Sequence, residues 1–221
     1  MPEFVADFGQ GEEPPADCRL HGPAFARNHA PIWSVVAPFL ADRGGDALEV
    51  GSGTGQHVVA YAAQSPAITW WPSDVDPRHL VSIAAWRAHA RLANVQAPMR
   101  IDLLDGAWDA ALPMRESLRA ILCINVLHIS PWSVTENLLA GAGRRLAPDG
   151  RLFVYGPFRR DGAHTAPSNA AFDASLRAQD PAWGVRDTAD IAAVAERCGL
   201  RIAEMAPMPA NNFTLVIAHN K

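Results

Sequence analysis

A glycine-rich turn is the segment of this chain that is best suited to chemistry. The run EVGSGTG at residues 49–55 follows a short apolar stretch and leads into a helical pattern that begins at Gln56. Because glycine permits positive φ and has no Cβ, such a turn can bend sharply and bring backbone N–H groups close to a bound nucleoside. The alternative interpretation is an ordinary glycine-rich connection between a strand and a helix.

The spacing of the glycines narrows the choice of ligand. A dinucleotide-binding fingerprint has its third glycine three residues after the second, and this chain has Gln56 at that position. A phosphate-binding loop needs Lys followed by Ser or Thr, whereas Gln56 and His57 stand here. The spacing therefore disfavours an NAD-dependent oxidoreductase and a phosphate loop.

Two acidic residues follow at the predicted end of the second strand. Asp74 lies 23 residues after Gly51, where nucleotide-binding α/β folds place an acid on the ribose hydroxyls. The two acceptor oxygens of a carboxylate suit a vicinal diol. Asp76 stands directly before Pro77, where a helix is predicted to begin, and we expect Asp76 to cap that helix.

The pattern Glu-x-Gly-x-Gly-x-Gly resembles motif I of class I methyltransferases that use S-adenosylmethionine (SAM). This resemblance implies that the turn wraps the methionyl part of SAM, and that Glu49 orients the turn or meets the cofactor's amino group through water. It also implies an adenine contact for Asp102, and it places residues 125–128 beside both cofactor and acceptor. The predicted cofactor residues of this part of the chain are Glu49, Gly51, Ser52, Gly53, Gly55, Asp74, Asp102, Leu103 and Asn125.

A general base is needed only when the methyl acceptor must lose a proton. His128 is the first candidate, on the expectation of a pKa near the operating pH, and Tyr155 and His164 are weaker candidates. The alternative is that His128 only forms a hydrogen bond within its own loop.

The acceptor is expected beyond the carboxyl ends of the strands, near a polar insert at about 156–187. Arg159 and Arg160 are candidates to clamp a carboxylate or phosphate, although a solvated surface pair is an equally good interpretation for one of them. Asn211 and Asn212 either donate to the acceptor or form a turn. Trp33 is alternatively a core residue. The predicted acceptor contacts are Trp33, His128, Tyr155, Arg159, Arg160, His164, Asn169, Trp183, Asn211 and Asn212.

Hydrophobic periodicity places these motifs on an alternating α/β chain. Apolar runs at 47–50, 68–71, 95–101, 118–124 and 151–155 enclose helical patterns at 56–64, 77–91 and 131–146, and another helix is predicted at about 24–40. Such alternation indicates a parallel sheet. Runs at 200–205 and 213–218 leave no room for a crossover helix, which predicts an antiparallel hairpin. The predicted fold class is α/β and Rossmann-like, as in class I methyltransferases: a seven-stranded, mostly parallel sheet with an antiparallel C-terminal hairpin and helices on both faces.

Longer segments are similar to the methyltransferase-like 26 family, which has been catalogued as a domain of unknown function. They include Arg27-Asn28, WPSDVDP at 71–77, LHISPW at 127–132 and the run at 155–187. The similarity extends from about Gly22 to the C-terminus. It implies a SAM-binding fold in which Arg27 and Asn28 lie beside the cofactor. His29 departs from that family's pattern, in which we expect Lys.

Composition excludes several classes of protein. The 221 residues carry a net charge of −4 without a basic stripe, which argues against nucleic acid as a partner. No apolar run approaches the roughly 20 residues that span a bilayer, and the acidic first residues lack the apolar core of a secretory signal. The three cysteines are Cys18, Cys123 and Cys198, too far apart for a zinc knuckle. We therefore expect a cytoplasmic monomer or homodimer without metal or membrane partners.

These observations predict one domain at 23–221, preceded by a flexible lead or lid at 1–22. The predicted function is a SAM-dependent methyltransferase that produces S-adenosylhomocysteine and acts on a polar or anionic small molecule through O, N or S. Enzymes that methylate amino groups of DNA bases or protein glutamine use a motif resembling Asn/Asp-Pro-Pro-aromatic after strand four, and residues 125–128 contain no proline. The alternative function is a non-catalytic SAM-binding sensor or scaffold.

Overall fold

A seven-stranded sheet forms the centre of the computed structural model, which describes residues 15–41, 43–114 and 116–220. Its strands are β1 (Gly45–Val50), β2 (Ile68–Asp74), β3 (Met99–Arg100), β4 (Leu118–Ile124), β5 (Leu146–Gly156), β9 (Leu200–Met208) and β10 (Asn212–His219). They lie in the order β3-β2-β1-β4-β5-β10-β9. The pairs from β3 to β5 are parallel, and β10 is antiparallel to both β5 and β9. The predicted fold class is confirmed.

Helices cover both faces of this sheet, which explains its nearly continuous apolar strands. The helices are α1 (Phe25–Leu40), α2 (Gln56–Gln64), α3 (Pro77–Ala90), α4 (Trp132–Arg145), α5 (Pro167–Gln179) and α6 (Thr188–Arg197). One buried cluster joins Ile32 of α1 and Tyr61 of α2 to the sheet, and a second joins Leu138 of α4 and Ile191 of α6 to it. In the described ranges, no helix has both the length and the apolarity to cross a membrane.

The helix limits follow local signals in the sequence. The pattern at 56–64 agrees with α2 residue for residue, and the limits of α1, α3 and α4 differ from the predictions by one residue at most at either end. Asp76 begins α3 as predicted, because its side chain accepts a hydrogen bond from Arg78 N at 2.8 Å.

The third strand is shorter than predicted. Only Met99 and Arg100 pair with β2, while Val95 forms an isolated bridge with Trp70. Pro98 lies between these two contacts and has no N–H to donate to a neighbouring strand. The proline therefore divides the predicted run at 95–101 into two short contacts.

The segment between β5 and α6 forms a small folded unit rather than an irregular loop. Its strands β6 (Phe158–Arg160), β7 (Ala163–His164) and β8 (Arg186–Asp187) form a three-stranded sheet in the order β7-β6-β8. Phe158, Leu176 and Trp183 are fully buried in this region. We call residues 156–187 the insert, and its apolar residues anchor it to the main domain.

The chain before α1 lies against α3. Leu20 N donates to Ser82 Oγ at 2.9 Å, and Trp86 Nε1 donates to the Leu20 carbonyl at 2.9 Å. Gly22 N donates to Gln56 Oε1 at 2.6 Å, directly beside the glycine-rich turn. Residues 1–14 of the predicted lead lie outside the described residues, and a lid function for 1–22 stays a prediction.

Candidate active site

The glycine-rich turn connects β1 to α2 at the carboxyl end of the parallel strands. Gly51, Gly53 and Gly55 have φ values of 63°, 55° and 88°, which other residues adopt at a cost. A Cβ on Gly51 would lie 2.6 Å from Val126 Cγ2, and one on Gly55 would lie 2.8 Å from Ile83 Cα. A Cβ on Gly53 would meet no described protein atom within 4 Å. The turn is therefore tightly packed at both ends and open in the middle, where its backbone can meet a ligand.

The carboxylate of Asp74 holds this turn in place. Its Oδ2 accepts a hydrogen bond from Gly53 N at 2.8 Å, and its Oδ1 accepts one from Asp76 N at 2.9 Å. His79 Nδ1 lies 3.2 Å from the same Oδ1. Sequence analysis predicted only a ligand contact for Asp74, and the structure adds a role in shaping the turn. Carboxylate oxygens have about four acceptor positions in total, so Asp74 can still accept from a ligand.

Glu49 places a buried carboxyl group beside the turn. The residue is 1% exposed, and its Oε2 has no hydrogen-bond partner among the described residues. Burial raises the pKa of Glu49 to about 8. The negative charge of Asp74 also raises this pKa, whereas a hydrogen bond from Ser52 lowers it. A buried acceptor without a partner is costly. Glu49 is therefore suited to receive a cationic donor group from a ligand.

Three other predicted cofactor residues help to build this edge of the sheet. The Ser52 hydroxyl accepts from Ser73 N at 3.2 Å, so it ties the turn to β2. Asn125 has a φ of 59°, and its N–H donates to the Tyr155 carbonyl at 2.9 Å where β4 ends. Leu103 is 8% exposed and packs within the core.

Apolar side chains are exposed beside the two acids at the ends of β2 and β3. Asp102 Oδ1 accepts from Leu104 N at 2.9 Å, and Ile101 N donates to the Asp74 carbonyl at 3.2 Å, so the two strand ends are adjacent. Val75 is 42% exposed and Leu104 is 55% exposed. Val75 and Leu104 were not predicted as site residues from the sequence. They could have been found as apolar residues within two positions of Asp74 and Asp102. Such surface suits a planar apolar group of a ligand.

The first turn of α1 meets the first turn of α2. Asn28 Oδ1 lies 2.9 Å from His57 Nε2. Burial lowers the pKa of His57 to about 3, so its imidazole is uncharged. Burial raises the pKa of Tyr155, while the adjacent Asn28 and the charge of Arg27 act in the opposite direction. The structure thus brings Arg27 and Asn28 together with the end of β5. It also adds His57 to the candidate site, a residue that the sequence marked only by its position just after the glycines.

His128 lies in a short 3-10 turn after β4, Leu127–Ile129. It is 4% exposed, its ring centroid lies 5.5 Å from that of Phe172, and its carbonyl accepts from Gly184 N at 3.0 Å. Burial lowers the pKa of His128 to about 3, and the positive charge of Arg186 acts in the same direction. The expected pKa near the operating pH is therefore wrong, because the ring is buried beside a cation. A catalytic role for His128 stays a prediction.

The two arginines of the insert have different surroundings. Arg159 is partly buried and lies opposite His164 in the pairing of β6 with β7. Arg160 is exposed, which agrees with the surface interpretation for one member of the pair. His164 Nε2 lies 3.6 Å from Asp173 Oδ2 of α5.

Two predicted acceptor residues are tryptophans with structural positions. Trp183 is 1% exposed, so its ring belongs to the packed interior of the insert, and an acceptor contact for it stays a prediction. Trp33 stacks on Tyr61 with ring centroids 5.1 Å apart, which supports its alternative interpretation as a core residue.

The predicted asparagines join the insert to the turn before β10. Asn169 is buried and donates to the Asn211 carbonyl at 2.9 Å, while Asn211 Nδ2 donates to Ser168 Oγ at 3.3 Å. Asn212 Nδ2 donates to two carbonyls of its own turn at 3.1 and 3.3 Å. Asn212 therefore forms the turn, and Asn169 and Asn211 hold α5 over it.

Solved structures similar to this chain include O-methyltransferases of low sequence identity. An O-methyltransferase family protein from Burkholderia thailandensis has a TM-score of 0.72 and 18% identity over 90% of this chain and 57% of its own. Mitomycin 7-O-methyltransferase MmcR has a TM-score of 0.70 and 19% identity over 87% of this chain and 54% of its own. An O-methyltransferase from neocarzinostatin biosynthesis was solved with SAM and 2-hydroxy-5-methyl naphthoic acid. It has a TM-score of 0.64 and 14% identity over 85% of this chain and 54% of its own. The chain thus spans little more than half the length of these proteins, and the likeness defines its fold as Rossmann-like, of the class I methyltransferase type.

A family profile covers most of the sequence. Residues 19–219 match the family described as "Protein of unknown function (DUF938)". The chain therefore belongs to the DUF938 family. Because that description carries no activity, a function has to be argued from the site.

Proposed function

We propose that this protein is a SAM-dependent methyltransferase that acts on a small-molecule acceptor and releases S-adenosylhomocysteine. The observation that carries this proposal is the buried, unpaired Oε2 of Glu49 next to a glycine turn that is open at Gly53. The ammonium group of SAM is a cation with N–H donors, and hydrogen bonds between charged partners are the stronger ones. Such a group supplies the partner that the described residues do not provide.

The remaining parts of SAM have matched groups at the same edge of the sheet. The carboxylate of Asp74 accepts from the ribose hydroxyls, and Asp102 accepts from the adenine amino group. Val75 and Leu104 offer apolar surface to the adenine ring. The further cofactor contacts that we propose are Arg27, Asn28, Gly51, Ser52, Gly55, Leu103 and Asn125.

Bound SAM supplies a strongly activated methyl group, which an acceptor lone pair takes by in-line displacement. Positioning and exclusion of water can therefore provide much of the acceleration, and the insert and the turn before β10 are placed to provide both. His128 stays our first candidate for proton removal, because its uncharged imidazole is available at neutral pH. A base of low pKa is effective only for a proton that becomes acidic as the acceptor gains positive charge. Tyr155 and His164 are the other candidates.

The protein's relatives, cellular location and partners are proposed as follows. We propose that the chain is closest to the methyltransferase-like 26 family and that the protein is a cytoplasmic monomer or homodimer. A net charge of −4 supports an acceptor other than nucleic acid.

Calorimetric titration of the protein with SAM, S-adenosylhomocysteine and NAD tests the cofactor. We expect saturable binding of SAM and S-adenosylhomocysteine and none of NAD. Binding of NAD alone, or of none of the three, would remove the basis of the proposal.

A second measurement tests catalysis. The protein is incubated with SAM and a panel of phenols, hydroxylated aromatic acids and thiols, and S-adenosylhomocysteine is quantified over time. We expect product above the protein-free rate with at least one acceptor. Tight SAM binding without product from the panel or from a cell extract would favour the sensor or scaffold over the enzyme.

A further inference from the structure

The small sheet of the insert places two donor side chains together. Arg159 and His164 are directly opposite each other in the antiparallel pair β6 and β7, and residues in this relation project from the same face of a sheet. Arg160 follows Arg159 in β6 and therefore projects from the other face, where it is exposed. The sheet thus separates two adjacent arginines into different environments.

Both donors have a buried nitrogen without a partner. Arg159 Nε and His164 Nδ1 are shielded from solvent, and neither forms a hydrogen bond with any residue that the structure describes. Leaving a donor of a charged group buried and unpaired is costly. A ligand that accepts hydrogen bonds at this face would remove that cost.

The surroundings of this pair hold three arginines, Arg159, Arg177 and Arg186, and two carboxylates, those of Asp173 and of Asp187, which is paired with Arg159 between β6 and β8. Burial lowers the pKa of Arg186, and the positive charges of Arg177 and Arg159 act in the same direction, while Asp173 opposes them. The Asp173 carboxylate is already engaged, since Oδ1 accepts a backbone N–H at 2.6 Å and Oδ2 accepts from Arg177 Nε at 3.1 Å. His164 Nε2 lies 3.6 Å from the same Oδ2. The guanidinium groups of Arg159, Arg177 and Arg186 thus outnumber these two carboxylates, which already accept from backbone N–H groups, and this balance favours an additional anion.

The cationic cluster adjoins the predicted acceptor region. Arg186 Nε donates to the Leu127 carbonyl at 3.0 Å, and the same side chain also donates to the Ser130 carbonyl, so it holds the turn that carries His128. Phe172 of α5 contacts the His128 ring. In the chain, Arg159 follows Tyr155 of β5 by four positions. A ligand that reaches the ends of β4 and β5 can therefore place one group against the insert.

We propose that Arg159 and His164 form a subsite for a carboxylate on the methyl acceptor. The Arg159 guanidinium and an Nδ1-protonated His164 are two donors for the two oxygens of one carboxylate. This inference rests on the proposed methyltransferase function and names its acceptor class as small molecules that carry a carboxylate group.

The test follows the Nε–Hε signal of Arg159 in 1H–15N spectra of the full-length protein, and the signal is assigned by its absence in Arg159→Gln. Benzoate is titrated as the probe, with benzamide as its uncharged counterpart of the same shape. We expect benzoate, and not benzamide, to move the Arg159 signal saturably, while the Arg160 signal stays in place. Because Arg159→Gln removes a buried Nε that has no partner among the described residues, we expect this variant to fold.

Arg160→Gln is the matched control, since it makes the same change in charge one residue away. Loss of a charged hydrogen bond in Arg159→Gln should weaken benzoate binding by about tenfold or more, whereas Arg160→Gln should change it by less than about twofold. Equal responses to benzoate and benzamide, an unmoved Arg159 signal or equal losses in both variants would overturn the proposal. A response to inorganic phosphate without one to benzoate would overturn the assignment to a carboxylate.

Calorimetry with SAM on the same samples separates this inference from the function on which it rests. SAM binding without a response to benzoate rejects the carboxylate subsite and leaves the methyltransferase intact. A response at Arg159 without SAM binding rejects the methyltransferase and leaves only an anion site.

Discussion

The two halves of the candidate site have opposite charge. At the ends of β1, β2 and β3 the prominent side chains are the acids Glu49, Asp74 and Asp102, and a carboxyl oxygen of Glu49 is buried without a partner among the described residues. Beyond β5 the prominent side chains are basic, and unpaired buried nitrogens belong to Arg159 and His164. A cationic cofactor and an anionic acceptor complement such a pair of surfaces. On charge alone, we therefore expect the two proposed substrates to bind in different halves.

The largest effect is expected in the acidic half, from Gly55→Ala. The residue has a φ of 88°, and its new Cβ would lie 2.8 Å from Ile83 Cα, so α3 would have to shift. We expect a loss of about 2–4 kcal/mol in the free energy of unfolding, measured by urea denaturation. Gly53→Ala is the control, because its Cβ would meet no described atom within 4 Å. This variant should lose only about 1–2 kcal/mol in the free energy of unfolding, but its SAM binding should be weaker. Equal losses of stability would contradict the packing described for the turn.

Glu49→Gln should change how stability depends on pH. The folded carboxyl has a pKa of about 8 against an ordinary value of 4.5, so the folded state retains a proton that the unfolded state loses. The contribution of Glu49 to stability should therefore be greatest below pH 4.5, fall as pH rises and level off above about pH 8, by up to roughly 1.4 kcal/mol per pH unit. Glu49→Gln has no titrating carboxyl at this position. In thermal unfolding across this pH range, the stability of the variant should therefore rise relative to that of the wild type as pH rises.

Parallel pH dependences for the two proteins would show that the Glu49 carboxyl is not perturbed. The same linkage applies to the cofactor, since a cation prefers the ionised carboxylate. SAM binding below about pH 8 should release protons, and calorimetry in buffers of different ionisation enthalpy measures that release.

Asp74→Asn should weaken SAM binding by about 1–3 kcal/mol, because a charged acceptor is lost from the turn and from the ribose. Titration calorimetry gives the affinity directly. Asp190→Asn is the control, since Asp190 is exposed on α6 and should bind SAM like the wild type. An unchanged affinity in Asp74→Asn would mean that the ribose contact is assigned to the wrong acid.

The smallest effect is expected in the basic half, from Asp173→Asn. The change removes the carboxylate that accepts from a backbone N–H and from Arg177, and we expect a loss of about 1 kcal/mol of stability without a change in SAM affinity. Denaturation and calorimetry on one preparation measure both quantities, with Asp161→Asn in an exposed turn as the control. A weaker SAM affinity would show that the two halves of the site are coupled and would contradict their description as separate surfaces.

Much of the acidic half could be predicted from the sequence. The glycines, Asp74 and Asp76 lie at strand or helix ends, where spacing and local conformation decide what a residue can do. The basic half was harder to predict. Neither the burial of Trp183 nor the contact of Asn169 with Asn211 has a local signal, because each depends on how the insert packs.

By itself, the sequence determined the alternation of strands and helices, the antiparallel C-terminal hairpin and the glycine turn, since periodicity and backbone freedom depend on neighbouring residues. Only the tertiary structure decided which polar groups are buried without partners. It lowered the pKa of His128, raised that of Glu49 and brought Arg159, Arg177 and Asp173 near Arg186. The physical reason is that solvation and charge depend on every residue nearby in space, and most of those residues are distant in the chain.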